Sequence, residues 1–282
     1  MTAQIIDGTK MAAEIKEGIA KQIAGWKKKP GLATVLVGDN PASKVYVSRK
    51  NVACKQYGFY SREIQFAEST TQKELLETIG ELNNDPLVHG ILVQLPLPPQ
   101  IDENAVLNSI SPSKDVDGFH PYNLGRLFSG DPTFVPCTPR GIMQLIKSTG
   151  IELEGKHAVV IGRSNTVGKP VAILLLQENC TVTICHSRTK NLGEEVKRAD
   201  IVVAAVGKPK LVTAEMVKEG AIVIDVGITR LQEGKLIGDV DFDGVKEKAS
   251  FITPVPGGVG PMTIAMLLQN TFEAAKKIEG ID

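Results

Sequence analysis

The sequence is poor in aromatic residues, histidine and cysteine, and it has no excess of either charge. Its 282 residues include one tryptophan, four histidines and four cysteines, and its 32 basic residues are matched by 32 acidic ones. A chain without net charge lacks the overall basic character that favours binding to nucleic acid or to an anionic membrane. We therefore expect a small-molecule partner, with neither nucleic acid nor membrane as partner.

The spacing of cysteine and histidine argues against a metal centre. No two cysteines form a C-x-x-C pair and the histidines are scattered singly, so the spacing of metal ligands is missing. The N-terminal stretch has no apolar core of signal-peptide length, and its acidic residues are unlike those of a transit peptide. The longest apolar runs, such as Val171 to Leu176, are far shorter than a membrane span. Reduced cysteines and a cytoplasmic location are expected.

What the sequence does contain is two runs of alternating strand and helix patterns. In the first run, strands are predicted near residues 32–37, 61–66 and 88–94, and helices near 9–27, 41–57 and 71–83. In the second run, strands are predicted near 157–161, 181–185, 200–206 and 221–226, with helices between them. Such alternation predicts parallel sheets covered by helices on both faces, and the second run is of the mononucleotide-binding type.

Three other segments complete the prediction. Residues 96–139 are rich in Pro, Asp, Asn and Gly and contain one predicted helix near 102–109, so they are interpreted as site loops and a linker. A helix near 139–149 precedes the second run. Near the end, a hairpin is predicted around Glu233 and Gly234, followed by a helix near 262–278 that we expect to pack on the first domain. The length allows two domains or one large α/β domain.

A lysine lies in a partly apolar stripe of the helix predicted over 41–57. Tyr46 and Lys50 are four residues apart and share a face, in line with Ala53, Cys54 and Tyr57. Partial burial would favour the neutral amine, which could then serve as a general base or acid. Alternatively, the lysine stem covers apolar surface while its amine reaches water.

Gln94 follows an apolar strand, at the edge where open parallel sheets bind ligands. It could hydrogen-bond a neighbouring lysine or a substrate amide, or it could end the strand in water. The segment "SPSKDVDGFHP" contains Asp115 and Asp117 before a glycine. This D-x-D pair has three interpretations, which are a divalent-metal site without the further oxygen ligands, a simple turn, and a buried carboxylate that accepts two N–H groups from a heterocycle.

The segment "AVVIGRSNTVGKPVAILLLQ" resembles a dinucleotide-binding turn with displaced glycines. Gly162 can form the turn and Gly168 can let helix and sheet approach, while a first helical turn from Thr166 would present N–H groups to an anion. Ser164 replaces the middle glycine, and we expect Arg163 and the Ser164 hydroxyl to compensate. The alternative is a polar loop without a cofactor.

The following strand discriminates between nucleotides. NAD sites usually carry Asp or Glu about 20 residues after the first glycine, but this strand ends in His186, Ser187, Arg188 and Thr189. Hydroxyls and a guanidinium suit a 2′-phosphate, so NADP is predicted. Two later strands end at Gly207 and Gly227, where a flat ring could lie against the backbone, although both could be ordinary turn glycines.

Seven motifs, in the order "YVSRK", "GILVQLPLP", "KDVDGF", "GRSNTVGKP", "CHSRT", "DVGI" and "PVPGGVGPMT", closely resemble the bifunctional methylenetetrahydrofolate dehydrogenase/cyclohydrolase family. They extend over nearly the whole chain. The resemblance implies two α/β domains with a cleft between them, the second being a Rossmann-like NADP-binding domain. We expect residues 1–139 with 263–282 to form the folate-binding domain and 140–262 to form the NADP-binding domain.

The resemblance also implies roles for individual residues. Lys50 corresponds to the family's catalytic lysine, Gln94 to its tuning partner and Asp117 to the carboxylate that anchors the pterin, and these three are predicted as catalytic. Tyr46 corresponds to the aromatic that stacks on the substrate, and Pro261 and Thr263 lie in the loop that borders both ligands. The implied cofactor-binding residues are Gly162, Arg163, Ser164, Ser187 and Ile228.

The implied chemistry is oxidation of 5,10-methylenetetrahydrofolate to the methenyl cation, and then hydrolysis to 10-formyltetrahydrofolate. Lys50 would supply the proton transfers of the second step, and no metal is required. The resemblance further suggests a homodimer formed through the second domain. The alternatives are a dehydrogenase without hydrolase activity and, from another class, a nucleotide-sensing protein with the same fold.

Overall fold

The computed structural model describes residues 2–231 and 234–281. It divides into two compact units. The three-stranded unit comprises Ala13–Cys137 and Ile264–Asp282, and the six-stranded unit comprises Met1–Ala12 and Thr138–Thr263.

Strands and helices alternate through most of the chain. The strands are β1 (Gln4–Ile5), β2 (Gly31–Val37), β3 (Tyr60–Phe66), β4 (Gly90–Val93), β5 (His157–Ile161), β6 (Thr181–Cys185), β7 (Ile201–Ala204), β8 (Ile222–Asp225), β9 (Thr229–Arg230), β10 (Leu236–Ile237) and β11 (Phe251–Ile252). The helices are α1 (Gly8–Ile23), α2 (Pro41–Gln56), α3 (Gln72–Asn84), α4 (Glu103–Ser109), α5 (Pro121–Phe128), α6 (Cys137–Lys147), α7 (Gly168–Gln177), α8 (Leu192–Lys197), α9 (Phe242–Val245) and α10 (Val259–Glu279).

The three-stranded unit is built on a parallel sheet in the order β3-β2-β4. Every residue of the central strand β2 is buried, as expected for a strand of a parallel sheet that is covered on both faces. Helix α2 follows β2, and the side chain of Asn40 caps it by accepting from two backbone N–H groups. After the helix, Gly58 has φ +81°, the left-handed conformation that glycine adopts most readily beyond a helix end.

The six-stranded unit is an all-parallel sheet in the order β1-β11-β8-β7-β5-β6. From β5 the chain goes to β6 on one side and returns to β7 on the other side. Strand β5 therefore lies where the strand order reverses, which is where open α/β sheets bind ligands beyond the carboxyl ends of their strands. The predicted class of two α/β domains is confirmed.

The amino terminus differs from the predicted division of the chain. Residues 1–12 were expected in the same domain as Lys50, but β1 pairs in parallel with β11 in the six-stranded sheet. Gln4 N–H donates to Ser250 O over 2.8 Å at that edge, and two residues are too few to produce a periodic pattern in the sequence.

The described segments on either side of residues 232 and 233 form an antiparallel pair, because β9 pairs with β10. This agrees with the predicted hairpin, although Glu233 at its predicted turn lies outside the described residues.

Three predictions about helices are corrected. The middle region contains α5 in addition to the predicted short helix, because Pro121 occupies the first helical position, where its missing N–H costs little, and His120 caps it. Residues 208–220, between β7 and β8, form turns rather than a helix. Helix α7 begins at Gly168, two residues later than expected. No helix among the described residues is long and apolar enough to cross a membrane.

Candidate active site and cofactor site

Helix α2 presents Lys50 on its buried face. Ser43, Val47, Lys50, Asn51 and Cys54 are buried at helical spacing, and Lys50 is only 8% exposed. The alternative interpretation required the amine of this lysine to extend freely into water, and such burial argues against it. Tyr46, one turn earlier on the same helix, is 37% exposed, so its ring is available to a ligand.

Gln94 is the hydrogen-bond partner of Lys50. It directly follows β4, and its backbone N–H donates to Val35 O over 2.9 Å, which continues the ladder with β2. Its Nε2 donates to Leu95 O over 2.8 Å, so Oε1 points away and accepts from Lys50 Nζ over 3.1 Å. Because the glutamine has this partner, it is more than a polar strand end, and it fixes the direction of the lysine amine.

The two acids of "KDVDGF" have different surroundings. Asp115 is buried, and its carboxylate accepts from Phe119 N–H over 3.1 Å, His120 N–H over 2.9 Å and Asn123 Nδ2 over 2.8 Å. Gly118 follows with φ +78°, and its N–H donates to Asp115 O. Asp115 is thus satisfied by its own loop and holds the turn that carries Asp117.

Asp117 lies within electrostatic reach of Lys50. Burial raises the pKa of its carboxyl group above the usual value, the positive charge of Lys50 opposes that rise, and the negative charge of Asp115 adds to it. The adjoining Val116 carbonyl accepts from Asn270 Nδ2 of α10 over 2.7 Å. The structure therefore brings together Lys50, Gln94 and Asp117.

The loop between β5 and α7 is shaped by two glycines. A Cβ on Gly168 would lie 2.2 Å from Gly162 O, and a Cβ on Gly162, whose φ is +134°, would lie 2.4 Å from Ala205 O. Neither site can accept a side chain without displacing backbone, so the spacing lets helix and sheet approach as predicted. This close approach of helix and sheet suits a bound dinucleotide.

Ser164 caps α7 from within this loop. Its Oγ accepts from Val167 N–H over 3.1 Å and from Gly168 N–H over 3.3 Å. The expectation that these N–H groups point freely outward is therefore corrected. The serine retains its own O–H as a donor.

Two arginines and a serine at this edge of the sheet are exposed. Arg163, Ser187 and Arg188 are all exposed, and in the described part of the chain their side chains form no hydrogen bond or ion pair. Strands β5 and β6 pair with Ile161 opposite Cys185, and Gly162 N–H donates to Cys185 O. The segments that carry Arg163 and Ser187 therefore leave neighbouring strands at the same edge.

The remaining predicted residues lie in the six-stranded unit. Ile228 follows β8 and is 41% exposed. Pro261 lies in the first turn of α10, and Thr263 Oγ1 is 2.9 Å from Thr138 Oγ1. Within the described ranges, no group of three or more His, Cys, Asp or Glu side chains could hold a metal ion.

The fold and these residues define a class of protein, which is a two-domain α/β enzyme with a Rossmann-like nucleotide-binding unit. Residues 6–117 match the family model described as the catalytic domain of tetrahydrofolate dehydrogenase/cyclohydrolase. Residues 136–279 match the model of its NAD(P)-binding domain. The chain belongs to the tetrahydrofolate dehydrogenase/cyclohydrolase family, as the sequence motifs predicted.

Individual relatives are similar over nearly their full length. A protein of Pelobacter propionicus called bifunctional protein FolD is 59% identical over 278 residues, which cover 98% of each chain. The crystal structure of the bifunctional FolD enzyme of Campylobacter jejuni has a TM-score of 0.95 at 51% identity, covering 98% of this chain and 99% of that one. The Trypanosoma brucei FolD structure, a complex with NADP and an inhibitor, has a TM-score of 0.95 at 41% identity over 98% of both chains.

Proposed function

We propose that this protein oxidises 5,10-methylenetetrahydrofolate with NADP⁺ and then hydrolyses the resulting methenyl cation to 10-formyltetrahydrofolate, with Lys50 as general acid and base. It is a bifunctional enzyme, both an oxidoreductase and a hydrolase. The observation that carries the assignment of Lys50 is its 3.1 Å hydrogen bond to Gln94 on the buried face of α2, beside Asp117.

The folate is proposed to bind at the face of α2 that carries Tyr46. The exposed ring of Tyr46 can stack on the pterin. Asp117 is proposed to accept two N–H groups of the pterin through its carboxylate, while Asp115 supports the turn. Pro261 and Thr263 are proposed to border the same substrate. The folate is thus assigned chiefly to the three-stranded unit and NADP to the six-stranded unit.

The cofactor is NADP, which accepts a hydride from the one-carbon bridge of the substrate when it is bound. Arg163 and Ser187, exposed and without partners in the described structure, are proposed to bind its 2′-phosphate. Ser164 can donate its O–H to the nucleotide while its oxygen caps α7, and Gly162 leaves the backbone close. Ile228 is proposed to contact the carboxamide through its backbone. These residues position the two reactants, which is the main requirement of this step.

Hydrolysis requires the proton transfers that positioning alone does not supply. Water adds to the methenyl carbon and loses one proton, which leaves a hydroxyl group on that carbon. One ring nitrogen then gains a proton as its bond to the carbon breaks, and the hydroxyl loses its remaining proton to water to give the formyl group. Lys50 can accept the first proton and deliver the second, because Gln94 Oε1 fixes the direction of its amine. No metal is needed for either transfer.

A homodimer and a cytoplasmic location complete the proposal. The six-stranded sheet ends at β6, whose outer edge has no strand partner among the described residues. Such an edge can pair with a second copy of the chain. Light scattering on the purified protein should give twice the mass of 30.3 kDa, and a monomer would reject the dimer.

The function is tested by adding methylenetetrahydrofolate to the purified protein with either NADP⁺ or NAD⁺ and following methenyl absorbance. We expect the signal to rise with NADP⁺ and then to decay faster than methenyltetrahydrofolate of the same concentration decays without protein. A signal that rises without accelerated decay would identify a dehydrogenase without hydrolase activity. Neither rise nor decay would favour a nucleotide-sensing protein.

A further inference from the structure

Two aspartates that have no proposed role in folate or NADP binding lie buried at the carboxyl edge of the six-stranded sheet. Asp225 is the last residue of β8 and is 3% exposed, and Asp239 follows β10 and is 0% exposed. Neither forms an ion pair with a basic side chain in the described structure. Instead, the two carboxylates accept hydrogen bonds from five backbone N–H groups.

Asp225 joins its own loop to the segment after β10. Its Oδ1 accepts from Gly227 N–H over 3.1 Å and from Asp239 N–H over 2.8 Å. Its Oδ2 accepts from Val240 N–H over 2.9 Å. The backbone that leads into Ile228 is therefore tied to the backbone of Asp239.

Asp239 continues the connection to the loop after β7. Its Oδ2 accepts from Val206 N–H over 2.7 Å and from Gly207 N–H over 3.0 Å. Its Oδ1 is buried without a partner in the residues that the structure describes. Strands β7 and β8 are neighbours with Ala204 opposite Asp225, so the two aspartates hold together the loops that end adjacent strands.

Glycines make room for both carboxylates. A Cβ on Gly227 would lie 2.1 Å from Asp239 Oδ1, and a Cβ on Gly238 would lie 1.9 Å from Asp225 Oδ2. Any side chain at either position would displace a carboxylate from its N–H donors. Gly227 thus has a role beyond a simple turn, because it lets Asp239 lie directly behind the backbone that precedes Ile228.

This arrangement is costly in free energy. Burial is the main reason that the pKa of Asp225 rises to about 6, and the negative charge of Asp239 contributes to the rise. Two like charges buried together destabilise a core in which apolar side chains would pack at lower cost. What they provide is a fixed backbone geometry for two loops at the ligand-binding edge.

We infer that Asp225 and Asp239 are positioning residues for the nicotinamide ring, which they orient by fixing the loops at Gly207 and at Gly227–Ile228. The inference rests on the proposed NADP site, in which the backbone of Ile228 contacts the carboxamide, and it adds the neighbouring loop at Gly207. The carboxylates do not touch the cofactor. They act through the five N–H groups that would otherwise be unsatisfied or would rotate towards water.

The decisive comparison is between Asp239→Ala and Asp239→Asn. Alanine removes the acceptor of Val206 and Gly207, so we expect dehydrogenase kcat/KM for NADP⁺ to fall roughly tenfold or more. Asparagine can keep its oxygen at the Oδ2 position and place its amide at the unpartnered Oδ1 position. We expect Asp239→Asn to stay within about threefold of the parent protein.

Two further measurements separate positioning from general damage to the fold. Cyclohydrolase activity, measured without NADP, should be unchanged in both variants. The ratio of dehydrogenase to cyclohydrolase activity then reflects folded molecules only. Affinity for 2′,5′-ADP, which lacks the nicotinamide, should also be unchanged. Asp200→Asn is the matched control, since Asp200 accepts from His157 N–H at the opposite end of the same sheet; its NADP kinetics should equal those of the parent.

Each outcome is decisive. If the parent protein shows no NADP-dependent dehydrogenase activity, the proposed function fails and the inference fails with it. If the parent is active and Asp239→Ala has the same NADP kinetics, or loses 2′,5′-ADP affinity equally, only the inference is overturned. Should Asp239→Ala not fold, Asp225→Asn replaces it, because its amide cannot accept from Val240. We expect a smaller loss of kcat/KM in the same direction, and unchanged kinetics would overturn the inference.

Discussion

The two ligand sites of this protein are organised in opposite ways. In the three-stranded unit, the proposed proton-transfer residue Lys50 is buried and its amine donates to Gln94 over 3.1 Å. In the six-stranded unit, the proposed phosphate-binding side chains of Arg163 and Ser187 are exposed and have no partners in the described structure. There the backbone is held instead, by the buried carboxylates of Asp225 and Asp239.

This difference follows from what each site has to do. A proton-transfer group must have a fixed direction before the substrate arrives, so its side chain is held by the protein itself. A 2′-phosphate is negatively charged, and an exposed arginine side chain can bind it without being held in place beforehand. The nicotinamide ring offers no anionic group to a basic side chain, and its orientation is proposed to depend on backbone position.

The largest expected effect is that of Lys50→Met, which removes the amine from the pre-arranged site. Hydrolysis of methenyltetrahydrofolate should fall by about 10²-fold to 10⁴-fold, the usual contribution of general acid and base catalysis. NADP affinity should not change, because the substitution lies in the other unit. Lys44→Met is the matched control, since Lys44 lies on the same helix but is exposed and pairs with Asp39. Normal hydrolysis in Lys50→Met would remove the lysine from the mechanism.

The next effect concerns the folate. Asp117→Ala removes the carboxylate that is proposed to anchor the pterin, and we expect folate affinity to fall by about tenfold to a hundredfold. Added Mg²⁺ should not restore binding, since the proposed role of Asp117 involves no metal. Titration calorimetry with tetrahydrofolate measures both. Asp131→Ala, an exposed acid of the same unit that pairs with Arg126, serves as the control. Rescue by the metal would revive the divalent-ion interpretation of the D-x-D pair.

Arg163→Ala tests the proposed 2′-phosphate site, whose side chains are exposed. We expect the KM for NADP⁺ to rise by about tenfold to a hundredfold, the contribution of a charged hydrogen bond. The KM for NAD⁺, which lacks the 2′-phosphate, should barely change. Arg198→Ala, in an exposed pair with Glu195, should affect neither. Equal weakening of both nucleotides would mean that the 2′-phosphate is recognised by other residues.

Sequence patterns predicted the parts of the molecule that depend on local spacing. The four-residue interval from Tyr46 to Lys50 placed both on one helix face, and Gln94 was predicted at a strand end. The first prediction holds because α2 begins at its Asn40 cap and ends before Gly58. The second holds because β4 ends at Val93. The order of the seven motifs predicted the family, which the comparisons confirm.

Features that depend on register between distant segments escaped prediction. Asp225 and Asp239 are 14 residues apart in the chain, and each alone reads as an acid near a turn. The signal that could have found them is an aspartate directly after three apolar residues, in "IVID", because such a position is buried in a parallel sheet. Similarly, the N–H groups of the first helical turn were expected to be available to an anion. The backbone path of the loop brings Ser164 Oγ close enough to accept from them, which the sequence pattern does not show.

The smallest expected effect concerns the free energy of unfolding. An unfolded aspartate has a pKa of about 3.9, whereas that of Asp225 is raised to about 6 in the folded protein. Between these values the folded state binds more protons, so the contribution of Asp225 to stability is greatest at low pH and falls as the pH rises towards 6. Above that pH, ionised Asp225 destabilises the fold by a constant amount.

The measurement is urea unfolding of the parent protein and of Asp225→Asn, which does not titrate, at pH 4.5 and pH 7. On the pKa values above, the stability of the parent relative to the variant should fall by about 2 kcal/mol between the two pH values. Asp200→Asn should show no such fall, because hydrogen bonds with Lys218 and His157 lower the pKa of Asp200 against the opposing effect of burial, so its contribution to stability changes mainly below a pH of about 3.9. An unchanged difference for Asp225→Asn would mean that its carboxyl group is not desolvated. The two loops would then need another source of their fixed geometry.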